Sequence, residues 1–206
     1  MKEYKAYIFD FDGTTFDSGP SMGPVFRAGF EAIGRTCTDE EGLQYMHHSI
    51  QWLAEEKHFE DRIQEFVDAI VEAMETPENL AKVAPFPEAE GVIRALKKAG
   101  KKTAIVSGNI ADHIKLILSL HHMEDCFDAI VGSDMLEKQK PNPDGIFLAC
   151  KMLGIEPGEG AVYIGDSEQD VLAAENAAVD GILVDRLGKD RHLAWTKVKT
   201  LKELLS

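Results

Sequence analysis

The chain has 206 residues, is 44% hydrophobic and 28% charged, and carries a formal net charge of −14 at pH 7. That length suits one large domain, or a core with a smaller insert, and is enough to bury a substantial interior. The acidic balance argues against a nucleic-acid or anionic-membrane surface, which needs clustered Lys and Arg, yet it leaves room for a local basic pocket that takes a small anion.

Met-Lys-Glu-Tyr-Lys leads straight into a strand, so no signal peptide is expected, and no apolar run approaches the length of a membrane span. Tyr7-Ile8-Phe9 then runs into Asp10-Phe11-Asp12-Gly13-Thr14-Thr15. This reads as a buried strand breaking into a turn with two carboxylates at its tip. Alternate residues of a strand share a face, so persisting extended geometry would set Asp10 beside Asp12. Adjacent anions repel unless a cation neutralises them, and a hard metal such as Mg²⁺ takes oxygen ligands of this kind. Asp and Gly are also ordinary turn formers, so the pair alone also fits a plain acidic turn.

From 16 to 84 the pattern is helical, which predicts an all-helical insert after the first strand. Val25, Phe26, Phe30 and Ile33 recur at helical spacing up to Gly34, and Thr38-Asp39-Glu40-Glu41 reads as a capped helix start. Ile63, Phe66, Val67, Ile70, Val71 and Met74 continue the pattern, with Pro77 expected to end the longest helix. Beyond Pro85-Phe86-Pro87, apolar strands alternate with helices. Strands are predicted over 102–107, 129–132, 161–165 and 181–185, with helices over about 88–99, 111–120, 143–153 and 168–178. Strands apolar on both faces are those of a buried parallel sheet. The expected fold is therefore α/β: a doubly wound parallel-sheet core, 1–15 and 85–206, with a smaller helical cap, 16–84. Ligands of such sheets sit at the carboxyl ends of the strands.

Candidate functional residues gather at those ends. Asp10 and Asp12 follow the first strand, Ser107-Gly108-Asn109 the second, and Asp166-Ser167-Glu168-Gln169-Asp170 a later one, while Lys140-Pro141 precedes a helix. Each is bland alone: Ser-Gly-Asn is a common turn, Gly-Asp-Ser a helix cap, and Lys most often a solvated surface residue. Together they supply a hydroxyl and backbone N–H groups for phosphate, a positive charge, and carboxylates for a divalent ion. That set is the inventory for phosphoryl transfer.

With these motifs in order, the sequence resembles the haloacid dehalogenase superfamily along essentially its whole length, specifically the helical-cap, phosphoglycolate-phosphatase-type branch. Asp10-Phe11-Asp12-Gly13-Thr14 matches the first motif, Ser107 the second, Lys140-Pro141-Asn142-Pro143 the third, and Gly165-Asp166-Ser167-Glu168-Gln169-Asp170 the fourth. Pro85-Phe86-Pro87-Glu88 resembles the return from cap to core, with Glu88 where Gly is more usual. The resemblance implies a phosphatase in which Asp10 is phosphorylated by the substrate and Asp12 is general acid and base. It implies Mg²⁺ held by the Asp10 carboxylate, the Asp12 carbonyl and Asp166, with Asp170 in support. Ser107, Lys140 and the N–H groups of Gly108 and Asn109 would hold the phosphoryl oxygens, and Thr14 would orient Asp12 or close the turn. The insert would act as a lid, and the substrate would be a small phosphorylated metabolite, with no nucleic-acid or membrane partner. Asp12 favours phosphate chemistry over dehalogenation, because a halide leaving group needs no proton. A sugar-phosphate mutase, an inorganic pyrophosphatase and a binding protein with a vestigial site are the alternatives; Gly165 tilts the choice from mutase toward hydrolysis.

Other residues attract blander readings. Cys37, Cys126 and Cys150 fit neither a disulfide framework nor a zinc pattern, so reduced core thiols in a cytoplasmic protein are expected. His47-His48 and His121-His122 read as packing or surface residues, since adjacent side chains diverge on a helix. Trp52 reads as helix-packing core. Arg27, Arg35, His47, Lys57 and Arg62 read as solvated, although each could face a substrate from the cap.

Overall fold

A computed structural model describes residues 2–46, 48–158, 160–188 and 194–206. The chain divides into two compact units, Met1–Phe16 with Pro85–Ser206, and Asp17–Ala84. It starts with β1 (Ala6–Phe9) and a short β2 (Phe16–Asp17). The helices α1 (Gly19–Ala32), α2 (Asp39–Leu43), α3 (Ile50–Lys57), α4 (Ile63–Met74) and α5 (Pro77–Leu80) follow. Next comes β3 (Ala84–Pro85), which pairs with β2. The chain then alternates through α6 (Ala89–Lys98), β4 (Lys102–Val106), α7 (Ala111–Leu120), β5 (Ala129–Val131) and α8 (Asp144–Leu153). It closes with β6 (Ala161–Gly165), α9 (Glu168–Asn176), β7 (Asp180–Val184) and β8 (Thr196–Val198).

The main sheet has the order β5-β4-β1-β6-β7-β8, with every neighbouring pair parallel. β1 is buried throughout because Ala6-Tyr7-Ile8-Phe9 lies between two strands and has helices over the sheet. Ala6, Ile8, Ala104, Val106 and Tyr163 share one core cluster with Ile146 and Ala149 of α8 and Ala173 and Ala174 of α9. β4 lies on one side of β1 and β6 on the other, so strand order reverses there. In a doubly wound sheet such a reversal opens a crevice beyond the carboxyl ends of the strands. Phe9 is level with Ile105 and Ile164, which brings the ends of these three strands to one height.

The helical unit is organised around α1, which at 14 residues is longer than α4. Phe30 and Phe59 meet Phe66 with ring centroids 5.1 and 4.7 Å apart, and Leu53 and Ile70 complete the interior. Thr38 and Glu41 form a reciprocal capping box on α2, whose acidic first turn suits the positive end of the helix dipole. Among the described residues no helix is long and apolar enough to cross a membrane.

Several expectations change. Pro77 does not end the longest helix: α4 stops at Met74, and Pro77 opens α5 behind Thr76, where its missing N–H costs nothing. Trp52 is 40% exposed and stacks on His48 at 3.9 Å rather than entering the core. Arg35 donates to the carbonyls of Lys57 and His58, and Arg62 to those of Ala32 and Ile33, so both close helix ends. Cys37 is half-buried while Cys126 and Cys150 are buried, and all three are free thiols. His121 meets the Phe16 ring edge-on, and His47 lies outside the described residues. β8 was not expected from the sequence, and it extends the sheet beyond β7.

Candidate active site

The turn after β1 is tighter than an extended strand. β1 ends at Phe9, and Asp10 donates its N–H to Ile164 O at 2.8 Å. The chain folds back so that Gly13 N reaches Phe16 O at 2.8 Å, and Phe11 stacks on Phe16. Thr15 secures the turn from inside, its hydroxyl donating to the carbonyls of Asp10 and Phe11. Gly13 adopts φ +79°, and a Cβ there would stand 2.3 Å from Asp166 Oδ2, so this position requires glycine on both counts. The extended pairing of Asp10 and Asp12 thus gives way to a turn packed on Asp166.

The sheet order brings the sequence-predicted residues to one rim. Ser107 follows β4, Asp166 follows β6, and Lys140 arrives from the segment between β5 and α8. Lys140 Nζ lies 2.9 Å from Asp10 Oδ1 and 2.6 Å from Asp170 Oδ1. Ser107 Oγ is 3.4 Å from Asp12 Oδ2 and accepts the Asn109 N–H at 3.1 Å. That N–H, expected on a phosphoryl oxygen, is therefore engaged by Ser107, while Gly108 is exposed beside it. Thr14, expected to orient Asp12 or to close the turn, donates its hydroxyl to Asp166 Oδ1 at 3.2 Å.

Asp170 is wholly buried and receives four hydrogen bonds. Lys140 and the Tyr163 hydroxyl donate to Oδ1 at 2.6 and 3.3 Å, while Ser167 N and Oγ donate to Oδ2 at 3.0 and 2.6 Å. Both oxygens are occupied, so the side chain anchors Lys140. Sequence reasoning missed Tyr163, whose hydroxyl also donates to Val106 O at 2.9 Å. The available signal was a phenol in a fully buried strand, since a buried tyrosine hydroxyl finds a partner.

Electrostatics separates the two buried acids. Burial pushes the Asp10 carboxyl well up; Lys140 opposes this, while Asp170, Asp166 and Asp12 add to it. For Asp170 burial acts in the same direction, but Lys140 and the hydrogen bonds from Lys140 and Ser167 outweigh it and hold the carboxyl below its usual value. Burial would lower Lys140, yet Asp10 and Asp170 keep it well above the usual lysine value and so cationic. The ion contact leaves Asp10 Oδ1 without an aligned hydrogen bond, and Asp12 Oδ1 is likewise buried and unpaired. Asp10, Asp166 and Asp170 each present an oxygen within 4.8 Å of the others. The buried oxygens of Asp10 and Asp12 that lack a hydrogen bond, with Asp166 close by, fit a hard divalent cation, which binds oxygen and relieves their repulsion.

A doubly wound sheet with acids, a hydroxyl and an anchored lysine at its switch point defines a Rossmann-like enzyme whose site is built for anion chemistry. The haloacid dehalogenase-like hydrolase family matches residues 7–184, and the chain belongs to that family. Its similarity extends to phosphoglycolate phosphatases of Psychrobacter arcticus (28% identity, 84% of this chain, 80% of the relative) and Aquifex aeolicus (29%, 84% and 81%). A haloacid dehalogenase-like hydrolase structure from Bacteroides fragilis superposes with a TM-score of 0.87 at 27% identity, covering 98% of this chain and 100% of that one.

Proposed function

We propose that this hydrolase is a Mg²⁺-dependent phosphomonoesterase acting on a small phosphorylated metabolite through an aspartyl-phosphate. The observation that carries the reading is a buried carboxylate beside Lys140, Asp10, two residues from a second acid with an unpaired buried oxygen, Asp12. Phosphoglycolate is the first candidate substrate, because relatives covering most of this chain are named for it.

An Asp10 oxygen attacks phosphorus while the ester P–O bond breaks, and Asp12 passes its proton to the departing alkoxide oxygen. Water then attacks the phosphoryl group, Asp12 takes the water's proton, and Asp10 leaves as carboxylate. Ser107 and Lys140 hold the phosphoryl oxygens, with Lys140 oriented by Asp170. Asp10 and Asp166, with the Asp12 carbonyl, would hold Mg²⁺, whose chemistry is to neutralise phosphoryl oxygen charge and favour the ionised nucleophile. Lys140 contributes in the same direction, countering the burial that raises Asp10.

Turnover of p-nitrophenyl phosphate with Mg²⁺ tests this reading. EDTA and Asp10→Asn are each expected to abolish phosphate release, and undiminished activity in Asp10→Asn removes the covalent route. A screen over phosphoglycolate, sugar phosphates, nucleotides and pyrophosphate then identifies the substrate. Isomerised sugar phosphate with little free phosphate would instead mark a mutase.

A further inference from the structure

Arg186, just beyond β7, makes three contacts with two distant segments of the core unit. Its Nη1 lies 2.6 Å from Glu88 Oε1, its Nη2 donates to the Thr14 carbonyl at 2.9 Å, and its guanidinium carbon is 3.6 Å from the Phe86 ring centroid. A planar guanidinium can do all three at once, which an ammonium cannot. Glu88 is the residue standing where the family resemblance expects glycine, and it has its partner here. Burial would raise its carboxyl, but the Arg186 hydrogen bond and its other donors hold it below the usual value, so the pair is ionic. The Phe86 N–H closes the same junction on the Thr15 carbonyl at 3.0 Å.

Thr14 is fully buried and uses both its polar ends: Arg186 fixes its carbonyl, and its hydroxyl reaches Asp166 Oδ1 at 3.2 Å. Without Arg186, a buried carbonyl and a nearly buried carboxylate, Glu88, would each lose a donor. The Thr14 peptide would then turn to recover hydrogen bonds, carrying its hydroxyl with it. We propose that Arg186, braced by Glu88, is a positioning residue that acts through Thr14 to hold the Asp166 carboxylate in the orientation that binds a divalent cation. The proposal rests on the reading of Asp166 as a Mg²⁺ ligand and extends that site to a loop distant from it in sequence.

Calorimetric titration of the full chain with Mg²⁺ alone, without substrate, tests it. Wild type is expected to bind and Asp166→Asn to lose binding. Partners that orient a metal ligand typically change affinity by about 10–100-fold; Thr14→Val is expected at roughly tenfold weaker and Arg186→Ala, one contact further out, at roughly fivefold. The double variant should bind no more weakly than Thr14→Val, because both act along one link. Arg186→Lys keeps the charge without the planar fork and should fall between wild type and alanine, which preserves the test if alanine fails to fold. A purely structural role would lower the melting temperature at unchanged Mg²⁺ affinity. Wild-type affinity in both Arg186 variants, beside weakened Thr14→Val, overturns this proposal alone. Absence of Mg²⁺ binding in wild type overturns it together with the Mg²⁺ reading of the site.

Discussion

Asp170→Asn is the sharpest test of how the site is held together. All four groups around Asp170 (Lys140 Nζ, Tyr163 Oη, Ser167 N and Ser167 Oγ) act as donors. An ionised carboxylate is acceptor-only and satisfies them all; a carboxamide must turn two N–H groups toward one side. With its nitrogen toward Lys140, it opposes an ammonium that has no lone pair to accept an N–H. The better choice turns the nitrogen toward Ser167, whose hydroxyl can rotate to accept while its backbone N–H is orphaned, at about 1–3 kcal/mol. Lys140 also loses a buried counter-ion, and truncating one partner of such a pair costs about 3–5 kcal/mol. The remaining contact with Asp10 at 2.9 Å keeps the combined effect near that range rather than at the sum. For a chain of this length each kcal/mol moves the melting temperature by roughly 2–4 °C, so a fall of roughly 10 °C is expected. Thermal unfolding followed by circular dichroism at neutral pH in EDTA measures it without contribution from bound metal. A variant melting within a degree of wild type would refute the view that the Asp170 carboxylate anchors Lys140.

Two further substitutions probe packing and charge. In Gly165→Ala the added Cβ would lie 2.2 Å from Asp170 Cγ and 2.4 Å from its Oδ2, so the Asp170 side chain that holds Lys140 must shift. Overpacking of this kind costs about 1–3 kcal/mol; melting temperature and phosphate release should both fall, and retention of both at wild-type values would contradict the close approach. At Asp128, burial acts to raise the carboxyl, but Lys97, at 2.8 Å, and the Thr103 N–H, at 2.9 Å, outweigh it and hold it below the usual value. A depressed folded-state pKa gives stability that is present above the unfolded value, about 3.9, and is lost as pH falls through the folded one. Asp128→Asn should therefore be less stable than wild type near neutral pH, by about 1–2 kcal/mol. The gap should narrow as pH falls below about 4, and a gap that stays constant with pH would refute the linkage.

The fold was legible where local pattern and tertiary environment agree. Tyr7-Ile8-Phe9 and Ala161–Gly165 are apolar because helices and neighbouring strands leave them no wet face, and that is visible in the residues themselves. Thr38 announced its helix because a capping box is a contact across three residues. β8 was not legible: in Thr196-Lys197-Val198 only Val198 is buried, and the strand exists through its pairing with β7. Trp52 failed for a related reason, since helical spacing identifies a stripe but not whether a neighbour covers it.

The site divides along the same line. Asp10, Ser107, Lys140 and Asp166 come together because the carboxyl ends of strands in a parallel sheet share a rim, whatever the distance along the chain. What holds them was hidden, because each support looks like something else in sequence. Tyr163 reads as one more core residue, yet its hydroxyl ties Val106, at the end of β4, to Asp170 beyond β6. Arg186 reads as a loop cation, yet its partner Glu88 lies 98 positions away and its second contact, Thr14, 172 positions away. The one local sign of that junction was negative, a carboxylate at 88 where glycine was expected. A buried acid replacing the smallest residue must bring its own counter-charge, so a departure from a motif points toward a distant partner as directly as a match points toward the chemistry.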